Sequence, residues 1–373
     1  MTCVGDVVTV LQEIAPPELA AEWDNTGLLL GDASWPAERV LTCLTLTADV
    51  AAEAVERRAG LIVAHHPIFF RPVQRITAGD SQGATALQLA GVRCAVYSPH
   101  TCYDNAPAGI NQQWAEKLGL LRIAPLRRLP EAACRKLVVY VPVEHADAVR
   151  EAVWSAGAGA IGEYSRCSFS HTGTGTFQGS DASQPAYGRP GRFETVQEER
   201  IEVIVPADRV AAVVQAMRSA HPYEVPAFDV IPLERLPGPS GLGRQGELPS
   251  PTALIAVVER LRGILGPLAG TLSYVGPPDR PIRRVAIACG AAGEFLADAE
   301  RSECDALVLG EARFHDLLRA RDAGVALVLL GHYASERPGV EELARQLAAR
   351  LPGIDAAASA VETDPLCGAL QGR

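Results

Sequence analysis

Leu61–Pro67 reads LIVAHHP, four apolar residues followed by two histidines and a proline. A run this short and this apolar, flanked by helical patterns, is the signature of a strand buried on both faces, as in a parallel sheet. Pro67 has no backbone donor and holds His66 extended, so the ladder ends there and the histidines sit at the strand's mouth. Neighbouring side chains on a strand point to opposite faces. Two metal ions, one for each imidazole, fit that geometry; one surface histidine beside one core histidine is the competing reading of the pair taken alone.

Three further runs repeat the pattern. CAVYSPHTCYD (Cys94–Asp104) delivers His100 and Asp104, ALVLGEARFHD (Ala306–Asp316) delivers Glu311 and His315, and ALVLLGHYASE (Ala326–Glu336) delivers His332 and Glu336. In open α/β sheets ligands bind in the crevice beyond the carboxyl ends of the strands, so polar groups from distant parts of the chain converge there. His332 and Glu336 are four apart and share one face of a helix beginning near Ala334. A carboxylate has two oxygens where an imidazole has one free coordinating nitrogen, which makes Glu336 the candidate bridge between two ions. Taken alone, His332 and Glu336 also read as a solvated helix face and Asp104 as the start of the turn into NAPAGI; their shared position after strands makes His65, His66, Asp104, His332 and Glu336 the expected metal ligands. Two divalent ions per chain are expected, and mixed imidazole and carboxylate donors suit zinc, iron, manganese or nickel alike.

His100 is the candidate proton carrier, with a turn-stabilising histidine as the alternative. Asp24 and Asn25, in EWDNTGLLLG, are expected to line the crevice, although DN before TG is also an ordinary turn signal. Glu311 and His315 are crevice candidates whose competing reading is the stabilisation of a helix start. His145, His171 and His221 lie apart from the constellation and are read as non-catalytic. No Walker-type loop, GxGxxG fingerprint or GxSxG elbow occurs, and GLGRQG (Gly241–Gly246) reads as linker because no apolar strand leads into it.

The chain has 373 residues, 48 per cent of them hydrophobic, which is enough for two or three domains with a substantial core. Nine cysteines without a CxxC pair fit reduced, mostly buried thiols better than a disulfide framework. A formal charge of −10 with no long basic run lacks the broad electrostatic footprint of a nucleic-acid binder. No stretch approaches the roughly 18 apolar residues of a membrane span, and no secretory leader is legible, so no membrane partner and a cytoplasmic location are expected.

Residues 1–128 alternate helix and strand, as do residues 237–373. Residues 129–236 differ: KLVVYVPVEHADAVREAVWSAGAG and ERIEVIVPADRVAAVVQAM each read strand, proline, helix, and the second is followed by another strand. Two such units in tandem suggest a ferredoxin-like α+β domain. Between them the Gly, Ser and Thr-rich stretch 171–197 reads as a long hairpin or exposed loop. The fold class is thus α/β, a discontinuous metal-binding domain with an inserted ferredoxin-like domain.

In order along the chain, EWDNTGLLLGD, LIVAHHPIFF, YSPHTCYDNAPAGIN, GLGRQGEL, GEARFHD and GHYASE resemble the dinuclear-metal proteins called NGG-interacting factor three-like, also named GTP cyclohydrolase 1 type 2 homologs. HPYEVPAFDVIPL resembles the end of the domain inserted in longer members. The resemblance implies that the five expected ligands match the family's metal positions, with Glu336 bridging. It further implies a PII/CutA-like insert and a toroidal homohexamer whose centres face an internal cavity. CGAAG (Cys289–Gly293) departs from the glycine- and serine-rich loop expected there. Two functions are expected in consequence. One is a metal-dependent hydrolase of a small nucleotide-like or phosphate-bearing substrate, GTP ring opening included; the other is a non-catalytic regulatory or metal-handling assembly whose insert binds a ligand or partner.

Overall fold

A computed structural model describes residues 2–131 and 133–366. The chain divides into two compact units, one made of the residues up to Leu129 and from Pro239 onward, the other of Pro130–Gly238. Among the described residues no helix is long and apolar enough to cross a membrane.

The first unit contains two sheets. In the five-stranded sheet, Leu61–Ala64 is central, with Arg39–Cys43 and Ala95–Ser98 parallel on either side. Asp355–Ala358 extends it in parallel at one edge and Gly27–Leu30 closes the other antiparallel. The strand LIVA is apolar throughout because both faces are covered: Leu61 and Val63 enter one core cluster, Ile62 and Ala64 another. The six-stranded sheet repeats the arrangement. Ala306–Glu311 runs parallel between Pro281–Ala291 and Ala326–Leu329, with Val308 and Val328 in the first cluster and Leu307, Leu309 and Leu327 in a third. One core cluster therefore draws residues from both sheets.

Helices cover these faces for local reasons. Val4, Val7, Leu11 and Ile14 are the buried residues of the helix Val4–Ile14, spaced three and four apart, and Pro16 comes just after its end. Thr47 caps the helix Ala48–Glu56 by accepting from Val50 N, and Asp80 caps Ser81–Gly91 by accepting from Gly83 N.

In the second unit, four antiparallel strands stand in the order Phe228–Pro232, Cys134–Pro142, Phe193–Pro206, Phe169–Gln178. With the helices Ala146–Ser155 and Val210–Ala220, this is the β-α-β-β-α-β ferredoxin-like arrangement. Its core holds Leu137, Val139, Val141, Val149, Ile201, Val203 and Met217. The Gly/Ser/Thr-rich stretch is a long hairpin: Phe169–Gln178 and Phe193–Pro206 pair over ten positions, and the irregular segment lies between them.

The supposed linker around GLGRQG is not one. It forms the strands Pro237–Leu242 and Arg244–Ala253, the latter pairing with Pro281–Ala291 and Leu121–Ala124. Apolar periodicity missed it because the two glycines 241 and 246 are needed for close backbone approach. A Cβ on Gly241 would lie 2.3 Å from Arg127 O, and one on Gly246 would lie 2.9 Å from Leu121 O.

Candidate metal centre

The ladder carries on past Ala64 for two residues: His65 N donates to Cys43 O and His66 N to Leu44 O. That extension fixes both imidazoles at the carboxyl end of the central strand. Ser98 Oγ, at the end of the neighbouring strand, donates to His65 O at 2.7 Å. The helix carrying His332 and Glu336 runs His332–Arg350, starting two residues earlier than expected, after Gly331 at φ +90°. His332 and Glu336 then occupy successive turns of one face.

Three imidazole Nε2 atoms and two carboxylates converge. Glu336 Oε2 lies 3.1 Å from both His66 Nε2 and His332 Nε2, and those nitrogens are 3.3 Å apart. Glu336 Oε1 turns the other way, 4.0 Å from His65 Nε2, which lies 3.3 Å from Asp104 Oδ1. Two of the remaining ring nitrogens are held from behind: His66 Nδ1 meets Thr45 Oγ1 at 2.8 Å and His332 Nδ1 meets Glu311 Oε1 at 3.0 Å. Anchoring Nδ1 presents Nε2 to the centre, as in metal sites generally.

The electrostatics are set by this crowding. Burial alone would raise the Glu336 carboxyl, but the imidazoles of His332 and His66 hold it well below the usual carboxylate range. The hydrogen bond to Glu336 pushes His332 up to about 9. Burial opposes protonation of His65, yet Asp104 and Glu336 outweigh it and raise its pKa; for His66 burial prevails and lowers it. A metal must displace the proton on His332. Zinc affinity, measured by competition against a chelator of known pH dependence, is expected to rise from pH 6.5 to about 9 and then level off. The raised pKa stabilises the chelated protein below pH 6.5, and this contribution disappears as pH climbs through about 9. An affinity that is flat over this window, once corrected for the competitor, would contradict the assignment.

The donors suit a divalent ion on two structural counts. His65 is 1% exposed, and neither of its ring nitrogens finds a hydrogen-bond partner, a costly state for a buried polar group unless another ligand completes it. Gly290, at φ +67°, keeps open the space beside the carboxylate: a Cβ there would lie 2.3 Å from Glu336 Oε1. Among the described residues, three groups of donors could hold an ion: His66, His332 and Glu336; His65, Asp104 and Glu336; and His65, His66 and His100.

His100 joins the same cluster, its ring 5.2 Å from His65 and 5.6 Å from His66. Its backbone is in the left-handed region at φ +25°, a strained state for a side-chain-bearing residue, and Asp24 Oδ1 anchors its Nδ1 at 2.7 Å. Asp24 does not line the crevice. Its side chain is fully buried, binding His100 and accepting from Thr101 N and Oγ1, and these bonds outweigh burial to lower its pKa. Asn25 is also structural, donating to Phe69 O. Glu311 reaches the centre only through His332, whose ring it orients. His315 lies outside the centre: it is exposed, with its ring against Phe314, because the helix starting at Phe314 turns it to solvent.

A cavity of about 810 Å³ lies over the donors and is lined by His66, His100, Asp104, Cys289, His332 and Glu336, among others. Sequence reasoning missed Cys289, Asn111 and Arg244. Cys289 Sγ donates to Asp104 Oδ1 at 3.2 Å, and burial, with the Asp104 charge second, raises its thiol well above the ordinary range. Asn111 accepts from Cys289 N and donates to Asp104 O. Buried Arg244 donates to the carbonyls of Asn105 and Ala106, immediately after Asp104. A lone cysteine in CGAAG and an arginine in a supposed linker gave no periodic or spacing signal.

Proteins of Mycobacterium tuberculosis and Bacillus subtilis, each named GTP cyclohydrolase 1 type 2 homolog, are similar along nearly the whole chain. The first is 40% identical over 348 residues, covering 92% of this chain and 91% of its own; the second is 34% identical over 363 residues, covering 96% of each. The crystal structure of a Bacillus cereus protein related to NIF3 matches with TM-score 0.75 at 34% identity, and that of Staphylococcus aureus protein SA1388 with TM-score 0.82 at 27%, each over 98% of both chains. The family model Duf34/NIF3 (NGG1p interacting factor 3) spans residues 2–365, and the chain belongs to that family.

Proposed function

We propose that this protein is a metal-dependent hydrolase of a small nucleotide-like or phosphate-bearing substrate, with two divalent ions held by His65, His66, Asp104, His332 and Glu336. The observation that carries the reading is the division of Glu336: one oxygen faces His66 and His332, the other faces His65 on the Asp104 side, at the floor of an open cavity. Ions bound there supply Lewis acidity and lower the pKa of water. The chain's own residues do the rest. Asp24 accepts from His100 Nδ1, which fixes the ring and leaves Nε2 as the nitrogen that takes or returns a proton, the orienting logic of a carboxylate–histidine pair. The relatives' name, GTP cyclohydrolase 1 type 2 homolog, agrees with a nucleotide-like substrate. On the family resemblance alone, the proposal includes a homohexamer.

The test compares chelated protein with protein loaded with zinc, manganese or iron(II) on a panel of nucleotides and phosphoesters. Turnover is expected only in loaded protein, and His100→Gln should lower it about 100-fold at unchanged metal content. Loaded protein that turns over nothing on the panel would favour the non-catalytic, regulatory reading.

A further inference from the structure

Two large aromatic side chains stand exposed at the rim of the metal cavity. Trp23 is 62% and Phe70 49% exposed, yet their rings are stacked, centroids 5.8 Å apart and planes 18° from parallel. Both line the cavity above the donors. Scattered exposed apolar residues need no explanation, but a stacked pair fixed at a cavity rim does.

Buried polar bonds fix the chain beside each ring. Asp24, next to Trp23, is locked to His100 and Thr101, and Asp24 N donates to Ala21 O. Asn25 Nδ2 donates to Phe69 O, next to Phe70. The DN pair thus secures Trp23 directly and Phe70 across the gap. His100 stands between the pair and the centre. Its ring is edge-on to Trp23 at 5.9 Å and to Phe70 at 5.6 Å, and it also contacts His65 and His66.

A third flat ring extends such a pair at the same centroid spacing of about 4.5–7 Å, and stacking of this kind accepts any planar heterocycle. A ribose ring or an alkyl chain has no flat π-face. We propose that Trp23 and Phe70 form the subsite for a planar heteroaromatic ring of the substrate, with His100 between that ring and the metal donors. This deepens the hydrolase reading by naming the part of the substrate that the protein itself grips, and it does not require the ions to be bound.

The test is calorimetric titration of the full-length protein, chelated and zinc-loaded, with guanosine 5′-monophosphate, cytidine 5′-monophosphate and ribose 5-phosphate. The two nucleotides are expected to bind at least about tenfold more tightly than ribose 5-phosphate, with or without zinc. Trp23→Ala should remove that advantage, Phe70→Ala should reduce it, and Trp23→Phe should keep most of it. Because Trp23 is largely exposed, the alanine variant leaves the core intact, and the phenylalanine variant controls for fold. Glu336→Gln should lose metal but keep the ring preference, so failure of the metal reading and failure of this one are distinguishable. Equal binding of the nucleotides and ribose 5-phosphate, no detectable binding of either nucleotide, or unchanged nucleotide affinity in Trp23→Ala would each overturn the assignment.

Discussion

Glu336→Gln is expected to strip bound divalent metal from the protein while leaving its fold in place. The side chains are nearly isosteric, and the amide still reaches His66 and His332, both 3.1 Å from Oε2 in the native chain. The substitution removes the negative charge from a site that is 3% exposed, and one of the two oxygens that face separate donor groups. Altering a group behind a ligand already costs roughly 10- to 100-fold in metal affinity, so losing this ligand should cost about 100-fold or more. Elemental analysis after gel filtration in limiting zinc reads the loss directly. A second readout separates loss of the ligand from general damage. Glu336 is the chief cause of the raised His332 pKa of about 9, so in chelated variant protein the His332 titration should fall back toward 6.5 when followed by NMR. Native metal content together with an unmoved His332 titration would show that Glu336 is not the hub of the centre.

The cluster of donors that could hold a metal was legible because its members follow apolar runs. LIVA, AVYS and ALVL each announce a buried parallel strand, and residues just past the end of such a strand fall in the crevice. Tertiary partners were not legible. Asp24 and Asn25 carried a turn signal that placed them near the crevice, but nothing local said that their side chains would be spent on His100 and the Phe69 carbonyl. Glu311 and His315 looked equivalent, and only the helix start at Phe314 separates them: Glu311 reaches His332, whereas His315 turns to solvent. GLGRQG failed most clearly. Its glycines serve close packing rather than flexibility, and its arginine is buried among backbone carbonyls of the distant 100–106 segment. A strand built on such contacts lacks the two-residue apolar alternation that identifies strands.

Arg244→Met is expected to be among the most destabilising single changes in the first unit, and to weaken metal binding as well. Arg244 is 5% exposed and has no carboxylate partner among its hydrogen bonds. Nε donates to Gln112 Oε1, Nη1 to the carbonyls of Gly241 and Gly243, and Nη2 to those of Asn105 and Ala106, all between 2.7 and 3.1 Å. These five bonds match the five donors of a guanidinium, and the converging carbonyl dipoles take the place of a counter-ion. Burial lowers the pKa of Arg244, but a guanidinium stays charged at working pH. Methionine fills much of the volume and satisfies none of the acceptors, at a cost of about 3–5 kcal/mol. The same clamp sets the end of the helix His100–Asn105, since Gly243 N also donates to Asn105 Oδ1. Asp104 lies in that last turn, so its displacement should lower zinc affinity even where the fold survives. Thermal unfolding should shift down, and amide exchange should accelerate selectively around 100–112. Arg244→Lys should recover only part of both effects, because one ammonium with three donors cannot span acceptors on both sides of the fork. If Arg244→Met left both the unfolding midpoint and exchange in 100–112 unchanged, the clamp would be incidental and Asp104 would owe its position to Asn111 and Cys289 alone.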